Sequence, residues 1–398
     1  VNPLLKRLHP YPFQRLRTLF ADLTPAADKA PINLSIGEPK HPTPGVLCEA
    51  LTGALGGLAS YPPTLGAPEL RQACARWLQR RYDIVADPER EILPVNGSRE
   101  ALFSFVQAMI DPSGSQTPVV ISPNPFYQIY EGAALLAGAE PWYVNCVQEN
   151  GFQPDWAAVP DEVWRRTQVV FACSPGNPTG AVMSLDDWRR LFDLSDRYGF
   201  VIASDECYSE IHFGQPPLGG LQAARQLGRD FQRIVMFTSL SKRSNAPGLR
   251  SGFVAGDAAL LEAFLLYRTY HGSAMSPTIQ AASIAAWNDE AHVEANRAAY
   301  QAKFDAVVPI LADSLGAQHP QAAFYLWLPV PGGDDQAFAR RLYTEQNVTV
   351  LPGSFLARDA HGINPGRGYI RIALVAPLAE CVEAAGRIRY LVSQSPRN

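Results

Sequence analysis

No run of ~18 consecutive apolar residues, the length a membrane-spanning helix needs, occurs in this 398-residue chain. The six cysteines are scattered, none in a Cys-x-x-Cys pair, and Cys173 and Cys207 lie in or beside apolar stretches. Reduced, buried thiols are expected, not disulfides or a thiolate metal site. The seven histidines form no His-x-x-x-His or Cys/His pairing, so no metal is expected. Positive charge is not in excess either: a net charge of −4 and a pI near 6.0 give no general attraction for nucleic acid. The basic cluster Lys6, Arg7, Arg15 and Arg17 reads as a solvated face. The opening residues, Val1 to Pro10, lack the apolar core and small-residue cleavage site of a secretory leader, so a cytoplasmic location is expected. There is no internal repeat and no low-complexity tract.

What the chain does have is core-forming residues in a strand–helix rhythm. Hydrophobic residues make up 47% and charged residues 18%, enough for one large domain and a smaller one. Leu, Ala and Trp spacing predicts helices from about Pro44 to Ser60 and Pro68 to Tyr82. Short apolar runs at Val119–Ile121, Pro141–Val144, Val169–Ala172, Phe200–Ala203, Ile234–Phe237 and Gly252–Ala255 alternate with helical segments around 130–137 and 186–198. That alternation predicts an α/β fold, a mostly parallel sheet with helices on both faces. Long helical patterns follow at 258–270 and 290–315. After Gly316 the order becomes strand, helix, strand, strand, helix, with strands at 324–328, 348–351 and 369–374, a small α+β unit.

The run Ser239-Leu240-Ser241-Lys242, with Arg250 eight residues on, follows an apolar strand. A lysine among hydroxyls and backbone donors suits a Schiff base to an aldehyde cofactor that carries a phosphate, namely pyridoxal phosphate; the bland reading is a solvated lysine in a turn. Val201 to Asp205 is an apolar run ending in an acid, with Tyr208 three residues later. Ligands of open α/β sheets sit outside the carboxyl ends of such strands, where a buried carboxylate can hold a pyridine nitrogen protonated. Asp205 could equally cap the next turn. Ser174-Pro175-Gly176-Asn177-Pro178-Thr179-Gly180 is a tight turn whose Asn177 amide can reach a cofactor's phenolic oxygen. Arg371 stands amid the apolar strand Tyr369 to Leu374. Such an arginine needs an anion, either a ligand or an internal acid.

Together, in this order and spacing, these stretches resemble the class I/II aminotransferases of fold type I, and the match covers essentially the whole chain. The resemblance implies pyridoxal 5'-phosphate as cofactor, Lys242 as the Schiff-base lysine, Asp205 as the pyridinium partner, and Tyr208 and Asn177 as donors to the phenolic oxygen. It places Ser239, Arg250 and the Asn96-Gly97-Ser98-Arg99 turn, at the start of a helix running from Glu100 to Met109, around the phosphate; a helix N-terminus favours an anion. Tyr127 would stack on the cofactor ring, with Phe126 as the alternative. Arg371 would grip the substrate α-carboxylate through a planar fork. Gly37, in Ile36-Gly37-Glu38-Pro39, would lie against the substrate, and Tyr61 would reach the phosphate of a neighbouring subunit, which implies a homodimer with shared sites. The implied domains are 1–43, an N-terminal arm and part of a small domain; 44–315, the large cofactor domain; and 316–398, the rest of the small domain.

Stretches beyond these shared motifs, Leu8 to Leu16, Ser35 to Pro44, Pro123 to Glu131 and Leu265 to Gly272, resemble the N-succinyldiaminopimelate aminotransferases. The implied reaction moves an amino group between glutamate and N-succinyl-2-amino-6-oxopimelate. Both substrates carry negative charge beyond the α-carboxylate, so a second cation should line the pocket. Lys40 is the first choice, with Arg17, Arg243 and Arg268 as alternatives. Two rivals stay open: an aminotransferase or carbon–sulfur lyase of the same fold acting on another substrate, and a non-catalytic regulator that senses the cofactor beside a DNA-binding domain.

Overall fold

The computed structural model describes residues 1–394. Its strands, in chain order, are β1 (Ile32–Asn33), β2 (Ile92–Val95), β3 (Val119–Asn124), β4 (Glu140–Asn145), β5 (Thr167–Cys173), β6 (Val201–Asp205), β7 (Ile234–Ser239), β8 (Gly252–Gly256), β9 (Tyr325–Pro329), β10 (Val348–Thr349), β11 (Leu351–Pro352) and β12 (Tyr369–Ala373). β2 to β8 form a seven-stranded sheet in the spatial order β2-β8-β7-β6-β5-β3-β4. β7, β6, β5, β3 and β4 run parallel, and β8 is antiparallel to both of its neighbours. β3 and β7 are buried along their whole length, as strands covered on both faces must be.

One face of this sheet carries the helices Pro68–Tyr82, Leu185–Tyr198 and Pro277–Asn288, whose Trp77, Trp188 and Trp287 are nearly inaccessible. The other carries Ser98–Met109, Ile129–Leu136 and Ala258–His271, with Phe105 and Phe264 at its centre. Local chemistry sets the ends of these helices. Leu185–Tyr198 starts with a reciprocal Ser184/Asp187 cap and stops at Gly199, whose φ of 81° is the left-handed turn that ends helices.

A third core gathers Ile32 and Leu34 with β9, β12 and the helices Asp335–Gln346 and Leu378–Ser393. The helix Ala291–Leu315 ends at the expected division but packs on both sides of it: its Phe304, Val307 and Leu311 belong to this third core, whereas Asn296 bonds the carbonyl of Lys242, which follows β7 of the seven-stranded sheet. The single strand expected at 348–351 is two: β10 pairs with β1, and β11 pairs with β12 in a different sheet. The helix expected over 44–60 breaks into Gly45–Gly53 and a short 3-10 turn, Leu55–Ala59, where Gly53, Gly56 and Gly57 weaken helix propagation. Pro277–Asn288 escaped the pattern because it buries Thr278, Gln280 and Ser283 among its small apolar residues.

Among the described residues no helix is long and apolar enough to cross a membrane, and no group of three or more His, Cys, Asp or Glu is placed to hold a metal. The six cysteines are free, and Cys48 is exposed.

Candidate active site

The carboxyl ends of β5, β6 and β7 and the start of the helix Ser98–Met109 open onto one cavity of about 420 Å³. β6 delivers Asp205 to it, 5% exposed. Tyr130 Oη donates to Asp205 Oδ2 at 2.6 Å, and the Cys207 N–H donates to Oδ1 at 3.3 Å. Burial pushes the Asp205 carboxyl up, and these two bonds hold it back. A carboxylate fixed in this way, on the cavity wall, can receive a cationic N–H from a ligand.

β7 ends at Ser239, and the short helix Leu240–Arg243 then turns Lys242 into the cavity. Its Nζ donates to the Gly37 carbonyl and lies 5.3 Å from the centre of the Phe324 ring. Burial lowers the amine from 10.5 to about 8, opposed by Cys207 and helped by the nearby Arg371 cation. A lysine that gives up its proton near pH 8 is available as a nucleophile and a base.

Arg371, on β12, is buried. It donates from one terminal nitrogen to Asn177 Oδ1 at 2.9 Å and from the other to the Ser35 carbonyl at 2.8 Å. Its Nε–H has no partner, and the guanidinium lies 4.5 Å over the Tyr325 ring. Among the described residues no acid pairs with it, which speaks against the internal ion pair that was its alternative role. The Tyr325 hydroxyl meets that of Tyr208 at 2.8 Å, so if Tyr325 donates, the Tyr208 proton is free for a ligand. A side chain at Gly37 would overlap the Tyr325 hydroxyl, which explains a glycine there.

Ser98, Ser239 and Arg250 line one end of the cavity. Gly97 takes φ 85°, and a Cβ there would run into the Arg250 guanidinium. A helix start, two hydroxyls and a guanidinium form a donor set that can take a phosphate. With the Lys242 amine and the Asp205 carboxylate in the same cavity, the residues present fit pyridoxal phosphate.

Not all of the expected residues converge. Tyr127 lines the cavity, whereas Phe126 is buried outside the lining against Tyr143. Asn96 turns away to the Ser273 carbonyl. Arg99 also leaves the phosphate end. Its guanidinium donates to Tyr127 Oη at 2.8 Å and Tyr11 Oη at 3.0 Å and lines the cavity there. Lys40 is exposed and does not line the cavity, because the chain after Gly37 is pinned through His41 to Asn296, setting Lys40 beside Lys303. The alternatives to Lys40 are elsewhere too. Arg17 is exposed outside the cavity, Arg243 is buried against Glu290 at 2.7 Å, and Arg268 against Glu100 at 2.7 Å. Tyr61 is fully exposed and outside the cavity of a single chain.

Tyr130, Tyr325 and Tyr11 were missed. Tyr130, in the first turn of the helix Ile129–Leu136, follows Tyr127 by three residues, a proximity that could have flagged it. Tyr325 and Tyr11 reach the cavity only through tertiary packing and left no such signal.

The family model for aminotransferase class I and II matches residues 29–388. A curated relative from Desulforudis audaxviator, named LL-diaminopimelate aminotransferase, is 37% identical over 394 residues, covering 97% of this chain and 96% of its own. Among solved structures, an aminotransferase from Neisseria meningitidis superposes with a TM-score of 0.96 at 60% identity, over 98% of this chain and 100% of that one. A probable N-succinyldiaminopimelate aminotransferase from Thermus thermophilus gives a TM-score of 0.82 at 29% identity, over 91% and 95% of the two chains. The chain belongs to the class I and II aminotransferases, enzymes that use pyridoxal phosphate to move an amino group between an amino acid and an oxo acid.

Proposed function

We propose that this aminotransferase exchanges an amino group between glutamate and N-succinyl-2-amino-6-oxopimelate, in the formation of diaminopimelate and lysine. The observation that carries this reading is the charge inventory of the cavity lining: four cations, Arg99, Lys242, Arg250 and Arg371, and one acid, Asp205. Lys242 is the reacting amine, Arg250 faces the phosphate end and Arg371 takes the α-carboxylate. Arg99 is left to meet an outer carboxylate, and it replaces Lys40 in that role. Phe13, Gln128 and Leu356 also line the cavity, and they accept a neutral amide and its methylene chain but offer no acid to an ammonium group. An acylated tail ending in a carboxylate fits that lining better than a free amino-acid tail.

The second reading follows from the names of curated relatives, LL-diaminopimelate aminotransferases 37% and 32% identical to this chain. It takes the unacylated substrate, whose outer ammonium would find no acid among the lining residues apart from Asp205.

Bound pyridoxal phosphate supplies an electron-accepting ring that stabilises the negative charge left at the substrate Cα. Arg371 orients the substrate with its Nε–H and a second N–H on the α-carboxylate, which fixes Cα relative to Lys242. The neutral Lys242 Nζ would take the proton from Cα and deliver it to the carbon that was the cofactor's aldehyde, on the other side of the transferred nitrogen. Asp205 would hold a proton on the ring nitrogen, with Tyr130 keeping the carboxylate aimed. Tyr208 Oη and Asn177 Nδ2 would donate to the phenolic oxygen. In a dimer, Tyr61 would complete the phosphate site of the other subunit.

Single-turnover absorbance of the bound cofactor tests the reading with three donors. Glutamate and N-succinyl-LL-diaminopimelate should convert it, and LL-diaminopimelate should do so at least about tenfold more slowly, the factor expected when one charged group is left unpaired. Fast conversion by LL-diaminopimelate with none by the succinylated compound would install the second reading. Lys242→Ala should abolish conversion by every donor.

A further inference from the structure

We propose that Asn296 is a positioning residue for the Lys242 amine, acting through a hydrogen-bonded circuit that ties the lysine's main chain to the segment contacting its side chain. The proposal rests on the reading of Lys242 as the proton carrier. Asn296 lies on the helix Ala291–Leu315, buried and outside the cavity lining. Its Nδ2 donates to the Lys242 carbonyl at 3.2 Å and stands 3.5 Å from that of Arg243. Its Oδ1 is 2.8 Å from His41 Nδ1 and 3.0 Å from Asn245 Nδ2.

Donor and acceptor chemistry allows one assignment of this amide. Carbonyls can only accept, so Nδ2 faces them, and Oδ1 therefore accepts from Asn245 and from His41. His41 must carry its proton on Nδ1. From His41 the chain runs back four residues to Gly37, whose carbonyl accepts from Lys242 Nζ. The circuit closes: Lys242 carbonyl, Asn296 amide, His41 ring, residues 41 to 37, Gly37 carbonyl, Lys242 amine.

Two further contacts stiffen it. Thr43 Oγ1 donates to the Asn245 carbonyl at 3.0 Å, a second tie between the same segment and the lysine turn. The His41 ring rests 4.6 Å from that of Tyr300, which stacks at 5.4 Å on Phe324, and Phe324 lies under the Lys242 amine. When substrate frees the amine from its link to the cofactor, the Gly37 carbonyl receives it and the circuit holds the turn in place, so Nζ remains within reach of the Cα proton. A flexible four-carbon side chain needs such a fixed base, because small misplacement of a proton carrier costs much of its rate.

The test uses the holoenzyme, with Asn296→Ala and His41→Phe. The phenylalanine keeps a ring against Tyr300 and removes the Nδ1 donor. Both variants should slow single-turnover proton transfer from glutamate about 10- to 100-fold per bound cofactor. The primary isotope effect with α-deuterated glutamate should rise, the apparent affinity for glutamate should stay within about twofold, and the pH titration of the bound cofactor's absorbance should shift. The double variant should be no worse than the worse single one, since both cut one circuit. Unchanged rate and isotope effect in His41→Phe would overturn the proposal, and so would a loss confined to thermal stability. His41→Phe decides the matter if Asn296→Ala fails to fold. Lys242→Ala runs alongside: turnover there removes the underlying reading of the lysine, whereas a dead Lys242→Ala beside two unimpaired variants removes the positioning role alone.

Discussion

Arg371→Lys keeps the charge at the substrate end of the site and removes the geometry. In the native protein two terminal nitrogens are committed to Asn177 Oδ1 at 2.9 Å and the Ser35 carbonyl at 2.8 Å, and the buried Nε–H is left without a partner. That free donor, with a second N–H turned from the same plane, forms the fork for an α-carboxylate. A lysine ammonium has three donors at one point. It can satisfy the two protein acceptors or meet the carboxylate, but it cannot hold a planar pair. The loss is one charge-assisted hydrogen bond, about 1.5–3 kcal/mol, which corresponds to roughly 10- to 150-fold in kcat/KM. Every amino donor carries the same α-carboxylate, so glutamate, alanine and N-succinyl-LL-diaminopimelate should lose by a similar factor, mostly through KM. Initial-rate kinetics with the three donors measures it. An unaltered kcat/KM, or a loss confined to the donors with an outer carboxylate, would refute this account of Arg371.

The part of the site legible in the sequence was the part the sheet itself delivers. Asp205, Ser239 and Lys242 end or follow apolar strands, and a parallel sheet brings such ends to one edge whatever the loops do. Six of the sheet's seven strands were readable for a related reason, because strands covered on both faces are nearly continuous apolar runs; β2, Ile92–Val95, was not expected. What failed depended on the direction of a side chain after a turn. Lys40 follows Gly37 by three residues and was placed beside the substrate, yet the bond from His41 to Asn296 carries that stretch onto another helix. Arg99 follows Ser98 at a helix start, but two tyrosine hydroxyls capture its guanidinium and face it toward the other end of the cavity. Arg268 was an alternative to Lys40 for the outer carboxylate and is instead fully buried against Glu100. Each of these three is a charged side chain whose direction is set by a contact between residues far apart in sequence. Local pattern carries no record of such a contact.

In the cofactor-free protein, burial lowers both Lys242 and Lys303 from 10.5 to about 8. Between pH about 8 and 10.5 the unfolded chain then binds more protons than the folded one, so stability should rise with pH across that window, and Lys242→Met should flatten part of the rise in denaturant titrations. An unchanged slope would mean that the amine is not desolvated. Mixing Tyr61→Ala and Lys242→Ala chains should partly restore turnover through hybrid dimers with one intact site; no recovery, given demonstrated subunit exchange and a severe defect in each parent, would count against a shared site. The tail contact separates from all of these. Arg99→Gln keeps hydrogen-bonding capacity toward Tyr11 and Tyr127 but removes the only lining cation not engaged with the amine, the phosphate or the α-carboxylate. It should therefore weaken glutamate and N-succinyl-LL-diaminopimelate by about 1–2 kcal/mol, the scale of one partly exposed charged hydrogen bond, and leave alanine nearly unaffected. Lys40→Ala, exposed and outside the cavity, should leave all three donors unaffected. If instead Lys40→Ala weakened the dicarboxylate donors and Arg99→Gln did not, the outer carboxylate would have to lie along the segment after Gly37, and the assignment of Arg99 would fall.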